Sequence, residues 1–261
     1  MKRSMFRTLG LAVLTAVALA SPAQPAQADD RVTLGGGSGI YVKVIADERG
    51  YRIGICTVTA VGTDDFGNLV ALTNAHCYTE DDGTKLVGDK VYYDPTPAGT
   101  FFAPAPEPGM PELEAAVAAG PIGEVTYVSD SNHLFGGGPH GMDYAVIKLD
   151  PTKVKLTNTV TSPSGTLTIN SLGNPPGNGA RLCKQGHRTG LTCGFKTGTH
   201  SIWFVTTILT NGGDSGSPAV HGTTLVGNSF GAFHHTPIHN ILNDINTRNA
   251  PGKNFTLHPT P

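Results

Sequence analysis

Asn211-Gly212-Gly213-Asp214-Ser215-Gly216-Ser217-Pro218 sets a serine between glycines, with an aspartate directly before it. A serine hydroxyl is a weak nucleophile at neutral pH. It needs an imidazole to take its proton, and the imidazole needs a buried carboxylate to fix its tautomer and stabilise the cation that forms. Upstream stand Thr73-Asn74-Ala75-His76-Cys77 and Met142-Asp143-Tyr144-Ala145-Val146-Ile147, so histidine, aspartate and serine follow in that order. Taken singly, each is ordinary: Gly-Asp-Ser-Gly occurs as a plain turn, and a lone histidine is commonly a surface or structural residue. The three together assign Ser215 as nucleophile, His76 as general base and Asp143 as the supporting carboxylate. The flanking glycines permit a tight turn that exposes the hydroxyl and lets a substrate carbonyl approach the backbone. The N–H groups of Gly213 and Ser215 would then form an oxyanion hole.

Ala75-His76-Cys77, Asp143-Tyr144-Ala145 and Gly213-Asp214-Ser215-Gly216 resemble the chymotrypsin-like serine proteases. The secreted bacterial branch, streptogrisin-like and α-lytic-protease-like, is nearest, and the likeness covers most of the chain after about Gly36. It implies an all-β fold of two six-stranded Greek-key β-barrels with the site between them and a short C-terminal helix. It favours Asp143 over Asp130 and Asp150, which lack the Asp-Tyr-Ala context. Four cysteines in an exported chain allow three pairings. The resemblance favours Cys56–Cys77, beside the histidine, and Cys183–Cys193, closing a short hairpin.

The same resemblance bears on Asp214, whose buried carboxylate needs a cation. Bacterial relatives use a basic residue in a Cys-x-x-Gly segment, and Cys183-Lys184-Gln185-Gly186 offers Lys184 there. A rival is tryptic cleavage at Arg31-Val32, which would free Val32 as the cationic terminus. Ser229-Phe230-Gly231 resembles the strand that pairs with substrate, and the pocket is expected around Leu209, Thr210, Asn211, Gly212 and the Ser229–Phe233 stretch. Leu209 lies where trypsin-type enzymes carry an acid, so cleavage after Lys or Arg is not expected. His234 and His235 read as turn histidines or, alternatively, as recognition of an acidic side chain.

Placing these residues falls to short strands punctuated by turns. The first set is Tyr41–Ile45, Arg52–Val61, Asn68–Leu72, Val87–Tyr93, Gly123–Val128 and Ala145–Leu149. The second is Leu167–Asn170, Ala180–Lys184, Leu191–Lys196, Ile202–Leu209, Ala219–His221 and Thr224–Phe230. The domain expectation is a signal peptide over 1–28, an N-terminal segment over 29–39, a first barrel over 40–155, and a second barrel with C-terminal helix over 156–261. Asp94 to Pro121 reads as a Pro/Ala-rich insertion, either a decorated surface loop or a substrate-gating lid, with a helix over Pro111–Gly120 closed by its glycine. Thr/Asn/Pro-rich sequence between Asp150 and Gly179 reads as the link between barrels. Ile238, Ile241, Leu242 and Ile245 are spaced as one face of a helix.

Lys2, Arg3 and Arg7, the apolar run Leu9–Ala20 and Ala26-Gln27-Ala28 form a cleavable export signal cut after Ala28. That run is too short to span a bilayer, which needs about 20 residues. Export implies an extracellular protein. Asp29 to Gly39 is too short for the folding pro-region that many bacterial relatives carry. Charged residues make up 15% and the net charge is −2, which argues against a nucleic-acid partner. Ten histidines are present, none paired with cysteines or acids at zinc-ligand spacing, so no metal or cofactor is expected. The reading is a secreted, monomeric serine endopeptidase acting on protein or peptide substrates. A silent binding protein on the same fold and an esterase-like hydrolase are the alternatives.

Overall fold

The computed structural model describes residues 29–48, 50–99, 111–130 and 142–259. Residues 1–28, where an export signal is expected, and the middle of the Pro/Ala-rich insertion lie outside them. No helix among the described residues is long and apolar enough to cross a membrane.

Two sheets carry the fold. In the first, Gly50–Thr57 pairs with Gly39–Asp47, followed in spatial order by Lys90–Tyr93, Gly123–Val128, Ala145–Leu149, Leu69–Thr73 and Ala60–Thr63. Val42, Val58, Val91, Val125 and Ile147 fill its interior. In the second, Thr224–Phe230 pairs with both Pro218–His221 and His234–Pro237. Arg181–Gly186, Gly190–Thr199 and Phe204–Thr206 complete that ring, making a closed barrel of six strands. Closure leaves the ring no free edge. Leu182, Phe204, Ile208, Ala219 and Val226 pack inside it.

The structure departs from the expected strands where the two sheets meet. Arg52–Val61 is broken into Gly50–Thr57 and Ala60–Thr63. At the break, Thr57 N donates to Ser215 O (2.7 Å) and Thr59 N to Leu72 O (2.7 Å). The chain turns there to receive the serine loop. The stretch read as an inter-barrel link contains a hairpin, Thr159–Ser162 against Gly165–Thr168. The chain's ends also cross between halves. Val32–Leu34 runs parallel to Val154–Leu156, and Thr256–Leu257 returns to pair with Ala60–Thr63 in the first sheet. Val87–Tyr93 shortens to Lys90–Tyr93 and Ile202–Leu209 to Phe204–Thr206.

Both helices form. Pro111–Ala119 buries Leu113. Ile238–Arg248 buries Ile238, Ile241 and Ile245 and ends at Asn249 in the left-handed conformation, a common helix stop. Disulfides join Cys56 to Cys77 and Cys183 to Cys193.

Candidate active site

His76 opens a single 3-10 turn directly after the buried strand Leu69–Thr73, and the neighbouring Cys77 disulfide anchors that turn to Gly50–Thr57. Asp143 sits at the entrance of Ala145–Leu149, with its side chain 5% exposed. Its carboxylate takes two bonds from one residue: Oδ1 accepts from His76 N (3.0 Å), and Oδ2 meets His76 Nδ1 (2.6 Å). The other ring nitrogen, Nε2, stands 2.8 Å from Ser215 Oγ. The three side chains form one continuous hydrogen-bonded run. Burial pulls the His76 pKa down, but the Asp143 carboxylate outweighs it, so the ring holds its proton above the ordinary histidine value.

First-barrel threonines hold the loop that carries the serine. Thr57 Oγ1 donates to Gly213 O (2.8 Å), Thr59 Oγ1 to Gly216 O (2.7 Å), and Thr73 Oγ1 to Thr57 O (2.8 Å). Gly213 and Gly216 both have positive φ, +96° and +90°. A Cβ at Gly216 would fall 2.1 Å from Thr57 O, and one at Gly213 would fall 2.3 Å from Arg188 Cγ. Glycine is therefore required at both places, on grounds of conformation and of space. Among the described residues, the N–H groups of Gly213 and Ser215 donate to no other backbone group.

Asp214 points the other way, into the second barrel. Lys184 Nζ lies 2.8 Å from its Oδ2, with the two side chains 0% and 2% exposed. Thr189 Oγ1 and Asn211 N also donate to Oδ2, while Arg188 N and Thr189 N donate to Oδ1. Burial pulls the Lys184 ammonium below its ordinary range, against the opposing pull of Asp214. Five donors thus surround the carboxylate in the uncut chain. Val32 N instead donates to Lys153 O (2.9 Å).

Beside the serine opens a cavity of about 260 Å³ lined by Thr210, Asn211, Gly212, Asp214, Ser215, Ser229, Gly231 and Ala232. Leu209 and Phe230, expected there, are not among the lining residues. Leu209 is 53% exposed at the surface, and Phe230 is buried with its ring 5.7 Å from that of His234. His234 and His235 lie on a strand and not in a turn. His235 is wholly buried, between Ser229 Oγ (2.9 Å) and Thr206 Oγ1 (2.8 Å).

Several positioning residues escaped the sequence reading. The amides of Asn74 and Asn228 clasp the Asp143 carbonyl, at 2.8 and 3.3 Å. Asn74 lay within the histidine motif and could have been noticed, whereas Asn228 had no local signal. The ligand atoms of Cys56, His76 and Cys77 lie within 4.8 Å of one another. The disulfide occupies both sulfurs and leaves one donor, too few for a metal.

No protein-family model and no curated protein matches the chain. Solved structures do. The chain is similar to Nocardiopsis protease at 19% identity and TM-score 0.55, covering 82% of this chain and 96% of that one. It is similar to Thermobifida fusca protease A at 18% identity and TM-score 0.53, with the same coverage of each. A third similar structure is a glutamic acid specific serine protease that uses a histidine triad in substrate binding, at 19% identity and TM-score 0.53, covering 82% of this chain and 97% of that one. These neighbours are bacterial chymotrypsin-like serine proteases, and the chain has their fold.

Proposed function

We propose that the chain is a secreted serine endopeptidase that cleaves peptide bonds through an acyl-enzyme. The observation that carries this reading is the run Asp143–His76–Ser215, at 2.6 and 2.8 Å, opening beside a cavity large enough for a side chain. In acylation, His76 Nε2 takes the hydroxyl proton as Ser215 Oγ bonds to the substrate carbonyl carbon. The carbonyl electron pair moves onto oxygen, where the N–H groups of Gly213 and Ser215 receive it. Each such donor contributes roughly 3 kcal/mol to the transition state. The proton passes from Nε2 to the departing amine as the C–N bond breaks. Water, deprotonated by the same nitrogen, then releases the acid.

In this reading Lys184–Asp214 keeps the oxyanion loop formed without an activating cut, and the leader over 1–28 directs export. The two disulfides fit an oxidising compartment. Glutamate specificity is not carried over from the neighbour described above. None of the residues lining this cavity is a cation, and His235 is sealed behind Ser229.

A fluorophosphonate probe tests the reading. It should label Ser215, and Ser215→Ala or His76→Ala should abolish labelling. An unlabelled native protein would leave the fold as a binding module. Labelling without cleavage of any peptide library would make it an esterase.

A further inference from the structure

Ser229 is buried to 1% exposure yet lines the cavity, and its hydroxyl meets His235 Nδ1 at 2.9 Å. His235 Nε2 meets Thr206 Oγ1 at 2.8 Å, and that oxygen also accepts from Ile208 N (3.2 Å). Thr206 is itself buried, so its proton needs an acceptor. Among the described residues the only acceptor bonded to that hydroxyl is His235 Nε2. A neutral imidazole has one N–H. If Nε2 accepts, Nδ1 carries the hydrogen and donates to Ser229 Oγ, which frees the serine's own proton to turn toward the cavity. Burial, followed by the nearby charges of Lys184 and His234, pushes His235 down to about 3, so the ring stays neutral at physiological pH.

A second lining residue, Thr210, has the opposite polarity. Thr210 Oγ1 spends its proton on Gly231 O (3.2 Å) and so faces the space as an acceptor. We propose that the Thr206–His235 relay sets Ser229 as a hydrogen-bond donor, and that with Thr210 as acceptor the pocket selects an uncharged amide side chain, glutamine above all, before the scissile bond. The inference rests on the hydrolase reading, in which this cavity holds that side chain. An amide oxygen meets the Ser229 proton while its NH₂ meets Thr210. A carboxylate would set lone pairs against Thr210 and has no cation among the lining residues to offset its desolvation. Lysine and arginine find a single anion among the lining residues, Asp214, whose two oxygens are already filled. Leucine would cover the Ser229 proton and leave it unpaired. Thr206 and His235 touch no substrate, and act as positioning residues.

Binding to Ser215→Ala protein reads the selectivity without turnover, using product-like peptides that differ only in a C-terminal Gln, Glu, Leu or Lys. The Gln peptide should bind tightest, by about tenfold or more over Leu, as expected for one unmade buried hydrogen bond. Adding Ser229→Ala should bring the Gln-to-Leu ratio close to one. Thr206→Val, outside the cavity, should lower the same ratio. Nitrogen NMR of His235 should find the hydrogen on Nδ1 in the native protein. Any order in which Gln is not first, or a hydrogen on Nε2, overturns the proposal. Failure of the fluorophosphonate probe would sink the hydrolase reading alone, because peptide binding and the tautomer are measured independently of it.

Discussion

His76–Asp143 and His187–Asp94 are the same pair of side chains at similar separations, 2.6 and 2.8 Å. In the first, the ring's second nitrogen meets the Ser215 hydroxyl; in the second, a single nitrogen, Nε2, meets both Asp94 and the Thr96 hydroxyl (3.1 Å). The second pair is sealed. Asp94 follows the first-barrel strand Lys90–Tyr93, and His187 sits at the tip of the second-barrel hairpin. Their exposures are 1% and 3%, and a Cβ at Gly39 would fall 2.4 Å from the His187 ring. Thr96 N and Oγ1 fill the far carboxylate oxygen. The backbone of His187 is tied as well: its N donates to Thr57 Oγ1 (3.1 Å), and its carbonyl accepts from Gly99 N (2.9 Å). A buried imidazole–carboxylate pair is thus a joint between barrels in one place and a candidate base in the other. Access to a third group, the Ser215 hydroxyl, makes the difference.

Alanine at each histidine should separate these roles most sharply. His76→Ala is expected to lower kcat/KM by about 10⁴-fold or more, with little change in melting temperature. His187→Ala should do the reverse. Removing one partner strands a buried carboxylate at a cost of about 3–5 kcal/mol, read by denaturant unfolding, while the remaining folded protein loses less than about tenfold in turnover. If His187→Ala silences a stably folded protein, the joint reading of that pair fails.

Lys184–Asp214 combines both characters, being sealed like the second pair and attached to the loop of the first. Lys184→Ala should lower stability by about 3 kcal/mol, the low end for a broken buried pair, since Thr189 Oγ1 and three backbone N–H groups remain on Asp214. Turnover should fall as well, because the Asn211 N–H that caps Asp214 opens the oxyanion loop. Full activity in a folded Lys184→Ala protein would separate the ion pair from catalysis.

The two His–Asp pairs should also differ in their response to pH. His76 is raised above its ordinary 6.5, so the stability it contributes is complete below 6.5 and fades as pH rises through the raised value. Activity needs the neutral ring and should rise over the same interval. Asp143→Asn removes the opposing charge and leaves burial, so an NMR titration of the ring should move below 6.5. Asp94 behaves in the opposite sense. Burial pushes its carboxyl up, but the His187 and Thr96 hydrogen bonds hold it below its ordinary 3.8. Its contribution is therefore present above 3.8 and lost as pH falls through the lowered value. Asp94→Asn should remove that part of the acid unfolding without moving the activity limb.

The sequence revealed the first pair and concealed the second for a physical reason. His76, Asp143 and Ser215 each stand in a short motif whose neighbours do local work, as a disulfide, a strand entrance and a glycine turn. Asp94 and His187 lie 93 positions apart with no such surroundings, and Asn74 and Asn228 lie 154 apart. Pairing at that range depends on how the two barrels meet. The strand pattern was readable wherever apolar residues alternated, and it failed at Val58–Thr59, where Val58 bonds to Gly37 and Ser38 while Thr57 N and Thr59 Oγ1 hold the serine loop. Leu209, expected in the pocket, is half exposed and outside the cavity lining, because adjacency in sequence to Thr210–Gly212 does not fix which way a side chain points.

The rim of the cavity should give the smallest effect. Phe233 has φ +65° on the turn between Thr224–Phe230 and His234–Pro237, next to the cavity residues Gly231 and Ala232. A bulky residue in the left-handed region costs roughly 1–2 kcal/mol, and Phe233 is 42% exposed, so only part of its possible burial is there to offset that cost. Phe233→Gly removes the strain but adds freedom to the unfolded chain. The net gain should be about 0.5–1 kcal/mol, a rise of about 1–4 °C in Tm for a chain of this length. Strain kept at a rim, where the sealed pair keeps none, fits a ring held out to touch substrate. KM should accordingly rise a few-fold while kcat holds. A Phe233→Gly protein less stable than the native one would mean that the ring packs well enough to repay its backbone, and the turn would then belong with the joint and not with the cleft.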